Sequence, residues 1–320
     1  IRDRLYMMME DLCMKKLIRI LSVTVGISIM FTMNSFAGTW RKRDNKESDT
    51  YTWRYMNSNS IQPEGWKWID GNKDGIYECY YIKDEIMQEN IRIDGRDING
   101  DGQWTVKGVV QQRTLPDWIK ISPKEKTNLA GSLYYPEVSY LQKRECVSTT
   151  NDIISKYIDD VIKRNTEDMK VNEVEYDFIL NDEDISRQKY ISLTFDNLLY
   201  HDKATHNYNI HAYYTITPDK GILKISDIGG KQLKDDIVAS VKRTLKARKD
   251  SHEGIISADP ESINISFDKD WLLLEDGIHI LFEEATIAPY AAGVIDIIVP
   301  YDEVKDSLNS YGKGLIDTDM

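Results

Sequence analysis

The sequence runs to 320 residues with a formal net charge of -12 and an apolar fraction of 41%. At about 100–200 residues per domain this is length for about two domains, with enough apolar content for a core. The acidic balance argues against nucleic acid as a partner, and against electrostatic adhesion to anionic membranes or teichoic acids.

The N-terminus sets the expected compartment. Met14-Lys15-Lys16 opens a basic stretch that includes Arg19, an apolar run follows from Ile20 to Phe31, and Ser35-Phe36-Ala37 precedes Gly38. This is the layout of a secretory signal over residues 14–37, with cleavage after Ala37 and a secreted or cell-surface product. The competing reading is an uncleaved anchor over Leu17–Met33, the one route to membrane contact. The apolar run is short for a span, and no Cys stands at the cleavage point to make a lipoprotein. Residues 1–13 read as an untranslated or non-native leader, because Met9-Glu10-Asp11 can be encoded with a GGAGG run just ahead of Met14. Cleavage leaves Cys79 and Cys146. Export permits a disulfide between them; the other reading is an unbridged Cys79 packed beneath a hairpin.

Residues 38–114 have their own texture. Six of the seven tryptophans fall between Trp40 and Trp118, and Trp40, Trp53 and Trp66 recur every 13 residues. Short strands are expected at Thr50–Tyr55, Gly65–Ile69, Ile76–Ile82 and Gln103–Val110, separated by the turn signals Asp70–Gly75 and Asn99–Gly102. Hairpins this short cannot each bury a core, so they must stack on one another.

The two turns also resemble calcium loops. Such a loop needs oxygen ligands at alternate positions, a Gly, and a bidentate Glu at the twelfth position. Asp70, Asn72, Asp74 and Gly75 satisfy the opening, as do Asp97, Asn99, Asp101 and Gly102, but the closing positions are Tyr81 and Gly108. Asp, Asn and Gly are equally what tight turns want, so the expectation is turns, with no metal and no cofactor.

The aromatic residues carry more. Trp66 and Trp68 alternate on one strand and share a face, as do Tyr77, Cys79 and Tyr81 across the turn, with Tyr80 opposite. Gathered rings make cation cages or platforms for sugars; they also fill the core of a small module, and both readings stay open. The candidate ligand-binding set is Trp53, Trp66, Trp68, Tyr77, Tyr81 and Trp104. Gly65-Trp66, Trp68-Ile69-Asp70, Tyr80-Tyr81, Asp101-Gly102-Gln103-Trp104 and Gly108-Val109-Val110 resemble the choline-binding or cell-wall-binding repeats of Gram-positive surface proteins, in a clostridial-type variant covering about 38–113. The resemblance implies attachment to a wall polymer through choline, another decoration or the glycan.

Leu115-Pro116 begins an expected linker, 115–125, followed by an α+β domain over 126–310 and a tail, 311–320. Helices are expected at Asn151–Arg164, where Ile154, Ile158 and Val161 share a face, and at Lys231–Arg248. Strand-like runs are Val171–Leu180, Tyr190–Tyr200, Asn207–Thr217, Ser262–Phe267, Gly277–Glu284 and Val294–Pro300. Strands outnumber helices and are neighbours in sequence. The expected fold class is therefore α+β, a mainly antiparallel sheet with helices on one face, preceded by a small all-β module of stacked aromatic hairpins.

Leu193-Thr194-Phe195-Asp196-Asn197 resembles the TFDD motif of polysaccharide deacetylases, with Asn in place of the second Asp. His201 and His206 stand five apart, where an extended strand points them to opposite sides, with His211 beyond. A second resemblance spans about 123–308. Tyr135-Pro136-Glu137-Val138-Ser139, Asn151-Asp152-Ile153-Ile154, Lys224-Ile225-Ser226-Asp227-Ile228, Phe282-Glu283-Glu284, Ile287–Gly293 and Ile298-Val299-Pro300-Tyr301 are similar to the extracytoplasmic module of RsiV-type anti-sigma factors, which also precedes the catalytic domain of PdaC-type peptidoglycan deacetylases. Ala204-Thr205-His206-Asn207 stands where that family has a Gly-Gly-Ala-His turn. The resemblance implies sensing or protein binding rather than catalysis. The expectation is a secreted, cell-wall-associated binding protein, not an enzyme, with a wall polymer as partner and a wall-active protein such as a lysozyme as a second one. The alternatives are an envelope carbohydrate esterase using Asp196 and the nearby histidines, and a signalling ectodomain held by the uncleaved anchor.

Overall fold

The computed structural model describes residues 39–45, 50–56, 65–71, 75–84, 86–128, 131–164, 169–170, 174, 176–180, 188–201, 208–250 and 256–316. The segment expected as a secretory signal, Asn72 to Asp74, and Ala204 to Asn207 lie outside them. No described helix is long and apolar enough to cross a membrane.

The first half is hairpin after hairpin. Strands β1 (Thr39–Asn45), β2 (Thr50–Met56), β3 (Gly65–Ile69), β4 (Ile76–Lys83) and β5 (Ile86–Met87) lead to β6 (Arg92–Ile93), β7 (Arg96–Ile98), β8 (Trp104–Val106), β9 (Val109–Val110) and β10 (Gln112–Thr114). They form two antiparallel sheets, β1-β2-β5-β4-β10 with β3 also on β4, and β6-β7-β8-β9. The run expected as one strand over Gln103–Val110 is itself a hairpin. Lys107 and Gly108 both take positive φ, as do Asp94 and Gly95 between β6 and β7. Two left-handed residues in succession give the turn whose twist matches the flanking strands.

Residues expected as linker continue the pairing. Strand β11 (Lys120–Asn128) forms a two-stranded ribbon with β12 (Gly131–Ser139), and Pro123 stands opposite Pro136. A two-stranded ribbon has outward N–H positions that a proline can occupy without losing a ladder bond. Helix α1 (Arg144–Lys163) starts seven residues before the expected Asn151. Its first two turns are largely solvated, so they carry no apolar period to read.

The rest is α+β. Strands β13 (Met169–Lys170), β14 (Tyr176–Leu180), β15 (Ile191–His201), β16 (Tyr208–Thr217) and β17 (Gly221–Ile222) make one antiparallel sheet. Helices α2 (Ile225–Ile228) and α3 (Lys231–Asp250) follow, then a second sheet of β18 (Trp271–Leu274), β19 (Gly277–Phe282) and β20 (Ile295–Pro300), closed by α4 (Tyr301–Val304) and α5 (Ser310–Ile316). The α+β class with antiparallel sheets and an N-terminal run of hairpins is what the pattern predicts. Two expectations fail locally. Ser262–Phe267 is no strand: Asp259 caps a short helical turn through Glu261 N–H (3.1 Å), and Ile263, Ile265 and Phe267 pack on the core without a pairing partner. The expected tail forms α5, which packs Tyr311 and Leu315 into the same core.

Alternation along β15 and β16 decides how the sheets meet. Ile191, Leu193, Phe195 and Ala212 join α1 and β12 in one core. The other face carries Ser192, Thr215 and His211, buried and polar. Ser192 Oγ donates to Leu273 O at 2.8 Å, and Leu273 N–H donates to Thr215 Oγ1 at 3.0 Å. These bonds satisfy the backbone of β18 where the second sheet packs on the first. The hairpins are tied in as well. Tyr77 is 3% exposed within the core built by Ile119, Leu133 and α1, with Trp68 and Trp118 against it. Trp118 Nε1 donates to Gln188 O at 2.9 Å. Neither Cys79 nor Cys146 forms a disulfide; Cys79 is fully buried, and Cys146 Sγ donates to Asp219 O.

Candidate functional site: an arginine-stacked tryptophan face

The β3–β4 register sets Trp66 opposite Tyr81 and Trp68 opposite Cys79, so these side chains share one face, as alternation requires. On the second hairpin sheet Ile98 pairs with Trp104, which places Arg96, two residues before Ile98, on Trp104's side. The two sheets bring the rings together. Trp66 meets Tyr81 edge-on with centroids 5.1 Å apart, and Trp104 lies 6.2 Å from Trp66 and 6.1 Å from Trp68. Arg96 reaches both rings, its guanidinium carbon 4.9 Å from the Trp66 centroid and 4.5 Å from that of Trp104. Arg113, opposite Tyr77 in the β4–β10 pairing, lies 3.8 Å over Trp68. Trp66 Nε1 donates a long bond to Asp94 (3.4 Å). Rings and guanidinium groups are half-buried. A cation over an indole face contributes about 0.5–2 kcal/mol depending on desolvation, so the arginines hold the rings in a fixed ladder.

The expected aromatic set divides. Trp66, Trp68, Tyr81 and Trp104 form this ladder. Tyr77 turns inward to the core of the α+β part, because the chain from Ile119 onward packs over that end of β4. Trp53 packs with Trp40 against Ile69, Tyr80, Ile82 and Met87, the opposite side of the β3–β4 hairpin. On that side burial also holds the Lys67 ammonium below its ordinary value, partly offset by Asp276. Both acidic turns close on themselves. Asp70 Oδ2 accepts from Gly75 N–H at 3.0 Å. Asn99 Oδ1 accepts from Asp101 N–H and Gln103 N–H, at 3.0 and 2.8 Å.

A second constellation lies in the seam between the sheets. His211 pairs directly with Asp196 across β15–β16. Its Nδ1 is 3.1 Å from Asp196 Oδ1, its Nε2 is 3.1 Å from both oxygens of Glu284, and its ring stacks parallel on Tyr213. Burial alone would lower the imidazole; the bonds to Asp196 and Glu284 outweigh it and raise its pKa to about 10. His279 repeats the arrangement on β19, with Nδ1 2.8 Å from Asp296 and Nε2 2.7 Å from Asp276. Burial opposes protonation there too, and the two carboxylates again raise it. His211 is thus held as an imidazolium near neutral pH, its Nε2 donating to Glu284 and its Nδ1 in ion-pair contact with Asp196. Among the described residues no three His, Cys, Asp or Glu side chains gather in metal-holding geometry. His201 sits at the end of β15 opposite Met169, and His206 lies outside the described residues. Asp196, the residue of the TFDN motif, pairs with His211 across the strands.

Ring counting misses Arg96, Arg113 and Glu284. The turn Asp94-Gly95 was a legible signal for Arg96, since it starts a strand whose next two alternations are Arg96 and Ile98. Glu284 lies 73 residues from His211 and has no local signal.

The fold and these sites define an antiparallel α+β protein carrying an aromatic hairpin face and two carboxylate-clamped histidines. Residues 216–302 match the family model described as "Protein of unknown function (DUF3298)". This stretch runs from the end of β16 into α4 and holds His279 and Glu284, while the tryptophan face lies outside it. Two solved structures are similar over most of their own length. A member of the same family from Bacteroides fragilis NCTC 9343 is 14% identical, with 60% of this chain and 93% of that one covered and a TM-score of 0.39. A family protein from Pseudomonas aeruginosa PAO1 is 10% identical, with 62% and 96% covered and a TM-score of 0.40. No curated protein matches.

Proposed function

We propose that this is a non-catalytic binding protein of the bacterial cell envelope, exported, held to the wall by its hairpins, and offering its α+β part to a protein partner such as a lysozyme. The observation that carries this reading is the ladder of Trp66, Trp68, Trp104 and Tyr81 on one half-exposed face. Rings that only filled a core would be withdrawn from water, as Tyr77 is. The resemblance of the hairpins to wall-binding repeats, and of the α+β part to RsiV-type modules, supports the same assignment.

The histidines favour binding over catalysis. An esterase acting through Asp196 needs a neutral imidazole nearby to accept a proton or ligate a metal. His211, raised to about 10, stays protonated near neutral pH, with Nε2 bonded to Glu284 and Nδ1 in ion-pair contact with Asp196.

Co-sedimentation of the full chain with purified cell walls tests the proposal. The wild-type protein pellets, and Trp66→Ala/Trp104→Ala stays in solution while keeping its far-UV circular dichroism. Equal pelleting of both proteins would remove the hairpin face from the account.

A further inference from the structure

Resting on the wall-binding reading for its ligand, the structure points to a coupling between the two parts: we infer that the tryptophan face and the α+β part open and close as one cooperative unit, so that occupancy of the face is felt in the α+β part and the reverse. The β3–β4 hairpin is the strut that joins them. Tyr77, Cys79 and Tyr81 of β4 share one face by alternation, yet its two ends meet different surroundings. Tyr81 meets Trp66 in the ladder, with centroids 5.1 Å apart, while Tyr77 is 3% exposed in the core that holds Leu133, Ile154 and Ile158. Trp68 belongs to both, lying 6.1 Å from Trp104 and packing against the core of Tyr77. Arg113 pairs with Tyr77 across β10 and β4, and its guanidinium carbon lies 3.8 Å from the Trp68 centroid.

The other side of β3 is tied in as well. Lys67 is half-buried there; burial lowers its ammonium, and Asp276, in the turn from β18 to β19, partly offsets this. Asp276 also lies 2.7 Å from His279 Nε2. A third link is a run of hydrogen bonds. Trp118 Nε1 donates to Gln188 O at 2.9 Å, Gln188 Nε2 to Tyr190 O at 2.6 Å, and Tyr190 Oη to Leu274 O at 3.1 Å, in the strand that begins with Trp271. A hairpin that melted away from this frame would take Tyr77 out of the α+β core and leave a cavity there. A two-stranded hairpin is also marginal by itself in water. Opening of the face is therefore opening of the core, and sites that share an opening equilibrium are coupled. The linkage is reciprocal: a polymer that holds the face closed strengthens binding of a protein to the α+β part by the same factor as that protein strengthens binding of the polymer.

The test uses the full chain labelled with fluorotryptophan and read by 19F NMR across a urea titration, with signals assigned from single Trp→Phe variants. Trp66 and Trp104 report the face; Trp271, 4% exposed in the second core, reports the α+β part. Ile82→Val perturbs the hairpins alone, since Ile82 packs with Ile69, Tyr80 and Met87. It lowers the folded-to-unfolded ratio by about threefold to tenfold, with equal losses at Trp66, Trp104 and Trp271. Soluble cell-wall fragments at about a hundred times their dissociation constant raise that ratio about a hundredfold at all three. A Trp271 signal that keeps its wild-type midpoint in Ile82→Val, or stays folded at urea concentrations where Trp66 and Trp104 have unfolded, would overturn the coupling. Fragments that bind and shift the midpoint of the face alone would overturn it too. Fragments that leave every signal in place sink the wall-binding reading, and the coupling is then decided by Ile82→Val.

Discussion

Replacing His211 by Ala removes an imidazolium that lies 3.1 Å from two carboxylates whose side chains are only 17% (Asp196) and 7% (Glu284) exposed. Breaking a buried ion pair by deleting one partner costs about 3–5 kcal/mol, because the remaining charge is left uncompensated. The raised pKa of His211 points the same way. A rise from 6.5 to about 10 corresponds to on the order of 5 kcal/mol of preference for the imidazolium in the folded protein. It also fixes the pH dependence. A raised histidine contributes stability fully present below about pH 6.5 and lost as pH climbs through its folded value near 10. The Glu284 carboxylate works in the other direction. Burial raises it, the bonds from His211 lower it below its ordinary value, and its contribution disappears as pH falls through that depressed value. Stability from the clamp is therefore greatest from mildly acid pH to neutrality. Urea unfolding followed by circular dichroism at pH 7 and at pH 9.5 measures both effects. The variant loses about 3–5 kcal/mol at pH 7, and wild type loses stability toward pH 9.5 more steeply than the variant. A loss under about 1 kcal/mol at pH 7, or equal slopes in the two proteins, would refute the clamp as a buried ion triad.

Two further outcomes follow from single contacts. Thr215→Val keeps the shape of the seam and removes the acceptor of Leu273 N–H; urea midpoints then record a loss of about 1–3 kcal/mol, the cost of one buried unpaired donor. Asp296→Asn takes one carboxylate from His279, and proton NMR titration of that imidazole shows its pKa falling toward the ordinary histidine value, with Asp276 still holding it partly up.

What the sequence showed, it showed through period. The alternation of Trp66 and Trp68, and of Tyr77, Cys79 and Tyr81, gave the face and register of β3–β4 because each pair stands two residues apart on a pleated strand. Helix α3 was legible from Leu233, Ile237, Val241 and Leu245, all buried on one side. The illegible parts lacked a period or had one with another cause. Strand β11 is rich in Lys and Glu and contains Pro123, which reads as linker until β12 is known to lie opposite. Ile263, Ile265 and Phe267 alternate because they dock on the core, not because a ladder pairs them. The site was half visible for the same reason. Neighbouring rings on one hairpin announce themselves. The arrival of Arg96 and Arg113 over those rings depends on strands pairing beyond the hairpin, and the meeting of His211 with Glu284 on one sheet packing against the other.

The most direct test of the central claim resolves the tryptophans one by one. In a chain labelled with 15N-tryptophan, the indole Nε1–H signals are followed by NMR as soluble cell-wall fragments are added, with assignments from single Trp→Phe variants. The account predicts that Trp66, Trp68 and Trp104 shift together and saturate together, while Trp53, Trp118 and Trp271 hold still. Shifts confined to Trp53, Trp118 or Trp271, or no shift at Trp66, Trp68 or Trp104, would contradict it.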